Sequence, residues 1–469
     1  MIAIMRAYMN FVPAHAPLRA VVRRAAGAVG VSVLALTSAC STATEILEVQ
    51  DPDIVNPSDV ASVAGANAVR LGALGRLNSA TSGEESLFLL GGLFTDEWIN
   101  GDSFIARQEI DQRTITRENT FLTAANRALH RARLSAEQAV ELLEQHNPSA
   151  PGWQVAEMYF VQGYAINLMA EHYCSGIIFS SVVNGVEQYG SPITSAAAFD
   201  KALTLVDQGI TLVTGNTADD TRVRNALRVL KGRILVNLNR HAEAATAVAG
   251  VPNTFAYTML HAATATSNQI WAFNSLSRRY SMSVAEGING MNFGSANDPR
   301  VPACQGGDAT CRALGVTLAT RDDLLRPIII ATNWSARESP VAITNGIEAR
   351  MIEAEAQLKA GNAAAALATL NAARATVTGL APLTDAGTPA ARLDQLFRER
   401  AFWFFGRGYR TGDMRRLIRQ YGRAANTVFP TGAWHKGGNY GTDVNFPVPQ
   451  AEDNNPNVPA GGACIDRNA

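Results

Sequence analysis

The sequence predicts a mainly α protein: helical hairpins stacked into an α-α superhelical scaffold, interrupted by a loop-rich insertion with a small β-hairpin. Three observations carry this. Apolar residues recur at three- and four-residue spacing over several long segments. Small residues stand where paired helices would cross. The stretch 253–345 trades that periodicity for Gly, Asn, Asp and Pro. With 469 residues, 47% of them hydrophobic, the chain can bury one large core or two ordinary ones.

At the N-terminus, Arg19, Arg23 and Arg24 precede the apolar run AAGAVGVSVLALTSA (25–39). A bilayer span needs about 20 such residues. A positive flank, a short greasy core and small residues before the cut are the pattern of an export signal, 1–39. Met5 and Met9 are alternative starts. The signal ends in LTSAC, which resembles a bacterial lipobox despite Thr37 at the usual Leu place. That implies thioether lipidation of Cys40 and cleavage before it, with 40–58 as the leader from the membrane. An ordinary cleaved signal with an incidental cysteine is the alternative.

Helical periodicity then runs through 121–146, 152–173, 196–213, 221–239 and 241–251, and again through 347–376 and 390–421. Gly232, Ala244 and Pro252 fall near tetratricopeptide spacings, as do Ala354, Ala366, Leu370 and Ala373 around the turn Ala360-Gly361-Asn362. The scaffold is therefore placed at 59–252 and 346–425, within one domain spanning 59–469. Within the insertion, QIWAFNSLSRRYSM (269–282) reads as strand-like and GINGMNFGSANDPRVPACQGGDATC (287–311) as loops. The tail, 426–469, also reads as loop.

The stretch RERAFWFFGRGYRTGDMRRL (398–417) interleaves rings with arginines, a pattern that can stack bases and hold phosphates. The formal net charge of −1 argues against a nucleic-acid partner, which needs a basic field. Arginine also supplies most of the positive charge throughout this chain, since its lysines are Lys201, Lys231, Lys359 and Lys436 alone. The other reading is structural: Phe402, Phe404 and Phe405 buried on a helix, Gly406 and Gly408 allowing a corner, and Asp413 within reach of Arg410 or Arg416 in a buried ion network.

Beyond Cys40 the cysteines are Cys174, Cys304, Cys311 and Cys464, an even number in an exported and oxidising setting. Cys304 and Cys311 bracket a Gly-rich turn and suit a local bridge; Cys174 with Cys464 follows by subtraction. A metal site is the weaker alternative, because no CxxC occurs and His172 beside Cys174 is the only close His–Cys pair. The seven histidines form no HExxH, and there is neither a GxSxG nor a Walker loop, so neither catalysis nor a cofactor is expected. Asp96 and Glu97 could imitate a glycosidase acid but lack an assignable partner carboxylate.

Seven stretches in order resemble the SusD/RagB family of outer-membrane nutrient-binding lipoproteins: the lipobox, LEVQDPDIVNPSDV (47–60), AEMYFVQGYAINLMAEHYCSG (156–176), NDPRVP (297–302), IEARMIEAEAQLKAGN (347–362), 398–417 and NFPVPQAEDNNPN (445–457). The resemblance implies a SusD-like fold and lipid anchorage at the surface of a Gram-negative outer membrane. It also implies a role without covalent chemistry: capture of an oligosaccharide or other nutrient and its delivery to a SusC-like TonB-dependent transporter. Ser41 and Thr42 after the acylated cysteine fit outer-membrane sorting. Sugar sites pair aromatic platforms with polar edges. The loop-borne candidates are Trp98 with Asp96, Asn100 and Asp102, then Trp271, Tyr280, Phe293, Trp334, Trp434 and Tyr440, each of which could instead be a packed core ring. A tetratricopeptide-type scaffold binding peptide or protein, and a surface glycosidase, are the rival functions.

Overall fold

The computed structural model describes residues 60–183, 186–316 and 320–469. The export signal, Cys40 and the leader lie outside these residues. The main helices are α1 (Val63–Ser82), α2 (Leu87–Phe94), α3 (Ile105–Gln112), α4 (Thr120–His146), α5 (Gly152–His172), α6 (Ser195–Leu212), α7 (Ala218–Asn237), α8 (His241–Val248), α9 (Gly346–Lys359), α10 (Ala363–Arg374), α11 (Pro389–Trp403) and α12 (Arg410–Tyr421). They pack as hairpins, α1 on α4, α5 on α6, α7 on α8 and α9 on α10, each stacked on the next. The fold is mainly α, as the periodicity predicts. No described helix is long and apolar enough to cross a membrane.

Small residues set the helix approaches. A Cβ on Gly163 would stand 2.7 Å from Val206 of α6, and one on Gly232 would stand 2.5 Å from Val248 of α8. Those gaps are below van der Waals contact, so only glycine lets the axes come this close. Helix starts are fixed by side chains that accept otherwise orphaned N–H groups: Asn119, Thr194, Asn345 and Thr388, with Thr217 and Asp220 forming a reciprocal capping box.

The insertion leaves after α8 and returns at α9 through an antiparallel pair, β4 (Ala256–Met259) with β8 (Val341–Asn345), in which Ala256 faces Asn345. Its two ends therefore meet, and α8 packs on α9 across it. Residues 269–282 correct the strand reading. Gln269–Trp271 is a helical turn, Ala272–Leu276 a π turn, and only Tyr280–Met282 is a strand, β5. That strand pairs with β1 (Trp98–Asn100), which is remote in sequence, instead of folding back locally. Asn274 enforces the turn by donating to the carbonyls of Tyr280 (2.8 Å) and Ile329 (3.0 Å) while accepting from the Ala331 N–H (2.8 Å). A true hairpin, β2 (Ser181–Val183) with β3 (Val186–Gln188), lies between α5 and α6. In the insertion, β6 (Ala303–Gln305) pairs with β7 (Ile329–Ala331).

The 398–417 stretch is structural. Phe402, Phe404 and Phe405 are buried, and a corner joins α11 to α12 through Gly406 (φ 67°) and Gly408 (φ 72°). Arg400 clamps Asp413 with two bonds of 2.8 Å, Arg416 reaches Asp413 at 2.9 Å and also meets Glu355, and Arg410 pairs with Asp96 instead of Asp413. Arg415 caps α5 by donating to the carbonyls of Ala170, Glu171 and Tyr173 at 2.9–3.0 Å. The arginines thus tie α5, α9, α11, α12 and the turn after α2 together inside the protein. Gly408→Ala should destabilise by at least ~2 kcal/mol, because its φ is left-handed and the added Cβ would lie 2.6 Å from Phe88. Urea unfolding of the variant checks this.

Both predicted disulfides are formed, Cys304–Cys311 and Cys174–Cys464. The second fastens the tail to the end of α5, where Tyr173 bridges Phe446 and Ser175 bridges Asp466.

Candidate functional site

Of the predicted site residues, six converge beneath one loop face. β1 and β5 set Asn100 opposite Tyr280 and Trp98 opposite Met282. Trp98 is 1% exposed, with its ring 4.7 Å from Phe405 and 6.5 Å from Tyr280. Asp96 is fully buried, paired with Arg410 at 2.7 and 2.8 Å and accepting from the Met291 N–H at 3.0 Å. Trp434 donates its indole N–H to Asp111 at 3.1 Å, and Asp111 also accepts from the Asn100 N–H at 3.1 Å. Tyr440 packs under the loop at Gly287. Trp98, Asp96, Asn100, Tyr280, Trp434 and Tyr440 therefore hold the loop face from below, and as described the fully enclosed ones offer no ring or oxygen to a ligand. Phe293 is buried against Phe402 and Phe405, and Trp334 is buried against the Gly406 corner. Trp271 alone among the tryptophan candidates is partly open, and its indole N–H has no partner.

The face itself is built by residues that sequence reading passed over. Asn100 and Asp102 exchange bonds of 3.0 Å, and Asp102 accepts from the Phe104 N–H at 3.0 Å, turning the chain so that the Phe104 ring faces solvent, 52% exposed. The Arg107 guanidinium lies 5.1 Å from the Phe104 ring and 4.8 Å from that of Phe121, while Arg279 lies 5.3 Å from Phe104. Phe121 shares a face of α4 with Ala128, seven residues or about 10 Å further on. Ala128 lines a cleft of about 420 Å³ whose other walls are Asn78 and Ser79 of α1, Glu84, and the hydroxyl-rich run Thr264, Thr266, Ser267 and Gln269. An aromatic platform with guanidinium groups beside its rings thus stands at the start of the helix whose same face, two turns on, lines a polar cleft, an arrangement suited to a chain of hydroxylated rings. Phe104 closes the same FTDEWINGDSF segment that the sequence singles out for Trp98. The run of Thr and Ser before Asn268 was the available signal for the cleft.

Two carboxyls under the face are held neutral. Burial pushes Glu97 up to about 8, against the Gly406 N–H that it accepts at 3.0 Å, and burial likewise pushes Asp111 up to about 8. Between the ordinary carboxylate range and about pH 8, the unfolded chain has released protons that the folded chain keeps. Stability should therefore fall as pH rises through that window. Glu97→Gln cannot ionise and should flatten the decline, as measured by denaturant midpoints at pH 5 and pH 8. Among the described residues, no group of three His, Cys, Asp or Glu could hold a metal ion.

No family model matches this chain, and no curated protein matches it. Solved structures do. A SusD superfamily protein from Parabacteroides distasonis aligns with a TM-score of 0.64 at 12% identity, covering 84% of this chain and 98% of its own. Surface glycan-binding protein A from Bacteroides thetaiotaomicron aligns at 0.60 and 15%, covering 84% and 97%. A laminarin-binding SusD-like protein aligns at 0.58 and 13%, covering 85% and 98%. These likenesses define the class: the fold is that of the SusD superfamily. The chain shares that fold over about 84% of its length.

Proposed function

We propose that the protein is a glycan-capture lipoprotein, anchored by Cys40 at the outer-membrane surface and passing oligosaccharide to a SusC-like TonB-dependent transporter without cleaving it. The observation that carries this reading is the Phe104–Phe121 platform with a polar cleft further along the same face of α4, set on a SusD-like scaffold. Two of the structural neighbours are described as laminarin-binding and surface glycan-binding, which favours a saccharide over other nutrients. Trp98, Asn100, Tyr280 and Trp434 act in it by fixing the loops. Titration calorimetry against laminarihexaose, xylohexaose and mannohexaose tests it. Phe104→Ala should weaken the hexaose that binds about tenfold or more while leaving the unfolding midpoint unchanged; binding of none of the three, or an unaltered isotherm, would overturn the assignment. Loss of membrane fractionation in Cys40→Ala checks the anchor.

A second reading has one observation behind it. A cleft of about 590 Å³ between the α9–α10 hairpin and α11 sets Leu358 and Leu393 beside Lys359, Arg392 and Arg423, as a peptide-binding repeat scaffold would require. Peptide capture that survives Phe104→Ala and fails in Lys359→Ala would favour it.

A further inference from the structure

Helix α4 carries a second cleft on the side opposite Phe121 and Ala128. Thr123, Arg127, His130 and Leu134 recur there at helical spacing and line a cavity of about 300 Å³. The facing wall is Ile178 and Ser180, and the rim is the tail turn bearing Glu452. This wall is built, not incidental. Ile178 and Val448 pack with Cys174 and Ala463, the Val448 N–H reaches the Cys464 sulfur at 3.3 Å, and the Gln450 N–H reaches the Arg117 carbonyl at 2.9 Å.

One buried group there lacks a partner. Arg133 is 4% exposed; it donates to Glu137 at 3.0 Å and to the Ser180 carbonyl, yet its Nε is buried with no acceptor. A buried donor left unmet is costly, so the cleft favours an occupant that accepts a hydrogen bond. The charges choose among occupants. A simple anion would meet the Glu452 carboxyl, and a simple cation would meet Arg127 and Arg133. A neutral polyol matches both, since each hydroxyl donates and accepts, and Leu134, Ile178 and Pro449 offer an apolar wall to its ring face.

We propose that this cleft is a second saccharide site, independent of the loop face, which takes a neutral sugar unit through Arg127, Arg133 and Glu452. It extends the glycan-capture reading and rests on it. Native mass spectrometry of the full mature chain with laminarihexaose, xylohexaose and mannohexaose counts bound ligands. Two per chain are expected for the hexaose that binds, falling to one in Arg127→Ala/Glu452→Gln and to one in Phe104→Ala. Arg127 is exposed and Glu452 half-buried, so these changes leave the core intact. A single ligand, unaffected by Arg127→Ala/Glu452→Gln and lost in Phe104→Ala, would overturn the second site and keep the first. No ligand from any hexaose would overturn both.

Discussion

Replacing Cys174 and Cys464 by serine should lower the unfolding free energy by about 5 kcal/mol. The bridge joins residues 290 apart. In the chain-entropy account the unfolded chain gains freedom roughly as the logarithm of the loop released, and a loop this long sits near the top of the range. The native state also loses something specific, since the bridge is the buried centre of the cluster of Ile178, Val448 and Ala463. Denaturant titration without reductant, wild type against the double serine variant, checks the figure. The Cys304–Cys311 bridge spans a separation of only 7, and its removal should cost roughly 2–3 kcal/mol. A reversed ranking of the two variants would contradict this account.

Asp413→Ala should cost about 3–5 kcal/mol. The carboxylate is buried with the Arg400 and Arg416 guanidiniums around it, and those cations hold it below the usual carboxylate range in spite of burial. Removing it leaves Arg400 with a buried positive charge and no carboxylate, whereas Arg416 retains Glu355. Asp413→Asn keeps an acceptor of the same shape and should lose less. Because the depressed acid contributes stability above its ordinary range and loses it as pH falls, the wild-type advantage over Asp413→Asn should shrink below about pH 4. Equal midpoints for the Ala and Asn variants would indicate that the buried arginines find other acceptors.

The hairpin scaffold was legible because α4 to α10 keep a helical period and punctuate it with small residues and caps. Helices α1 and α2 were not. VAGANAVRLGALGRLNSATS spreads Gly and Ala around the helix, and LFLLGGLF is apolar on every side and buried throughout, so neither displays a face. Strand β5 was misjudged in extent because its partner β1 lies nearly two hundred residues away and no local pattern announces it. The disulfides followed from counting. Rings such as Trp98, Tyr280 and Trp434 drew attention as loop aromatics, yet burial is decided by tertiary packing that composition does not carry. The ion network was half visible: Asp413 and its neighbours are close in sequence, while the Arg410–Asp96 pair spans the chain.

The bond between Cys174 and Cys464 makes most of the chain a covalent circle, with the insertion on its circumference. A single proteolytic cut in an exposed stretch such as Leu324–Leu325 would open the circle without dividing the molecule. A nick of that kind would leave one body still threaded together, and its pieces would part only on reduction.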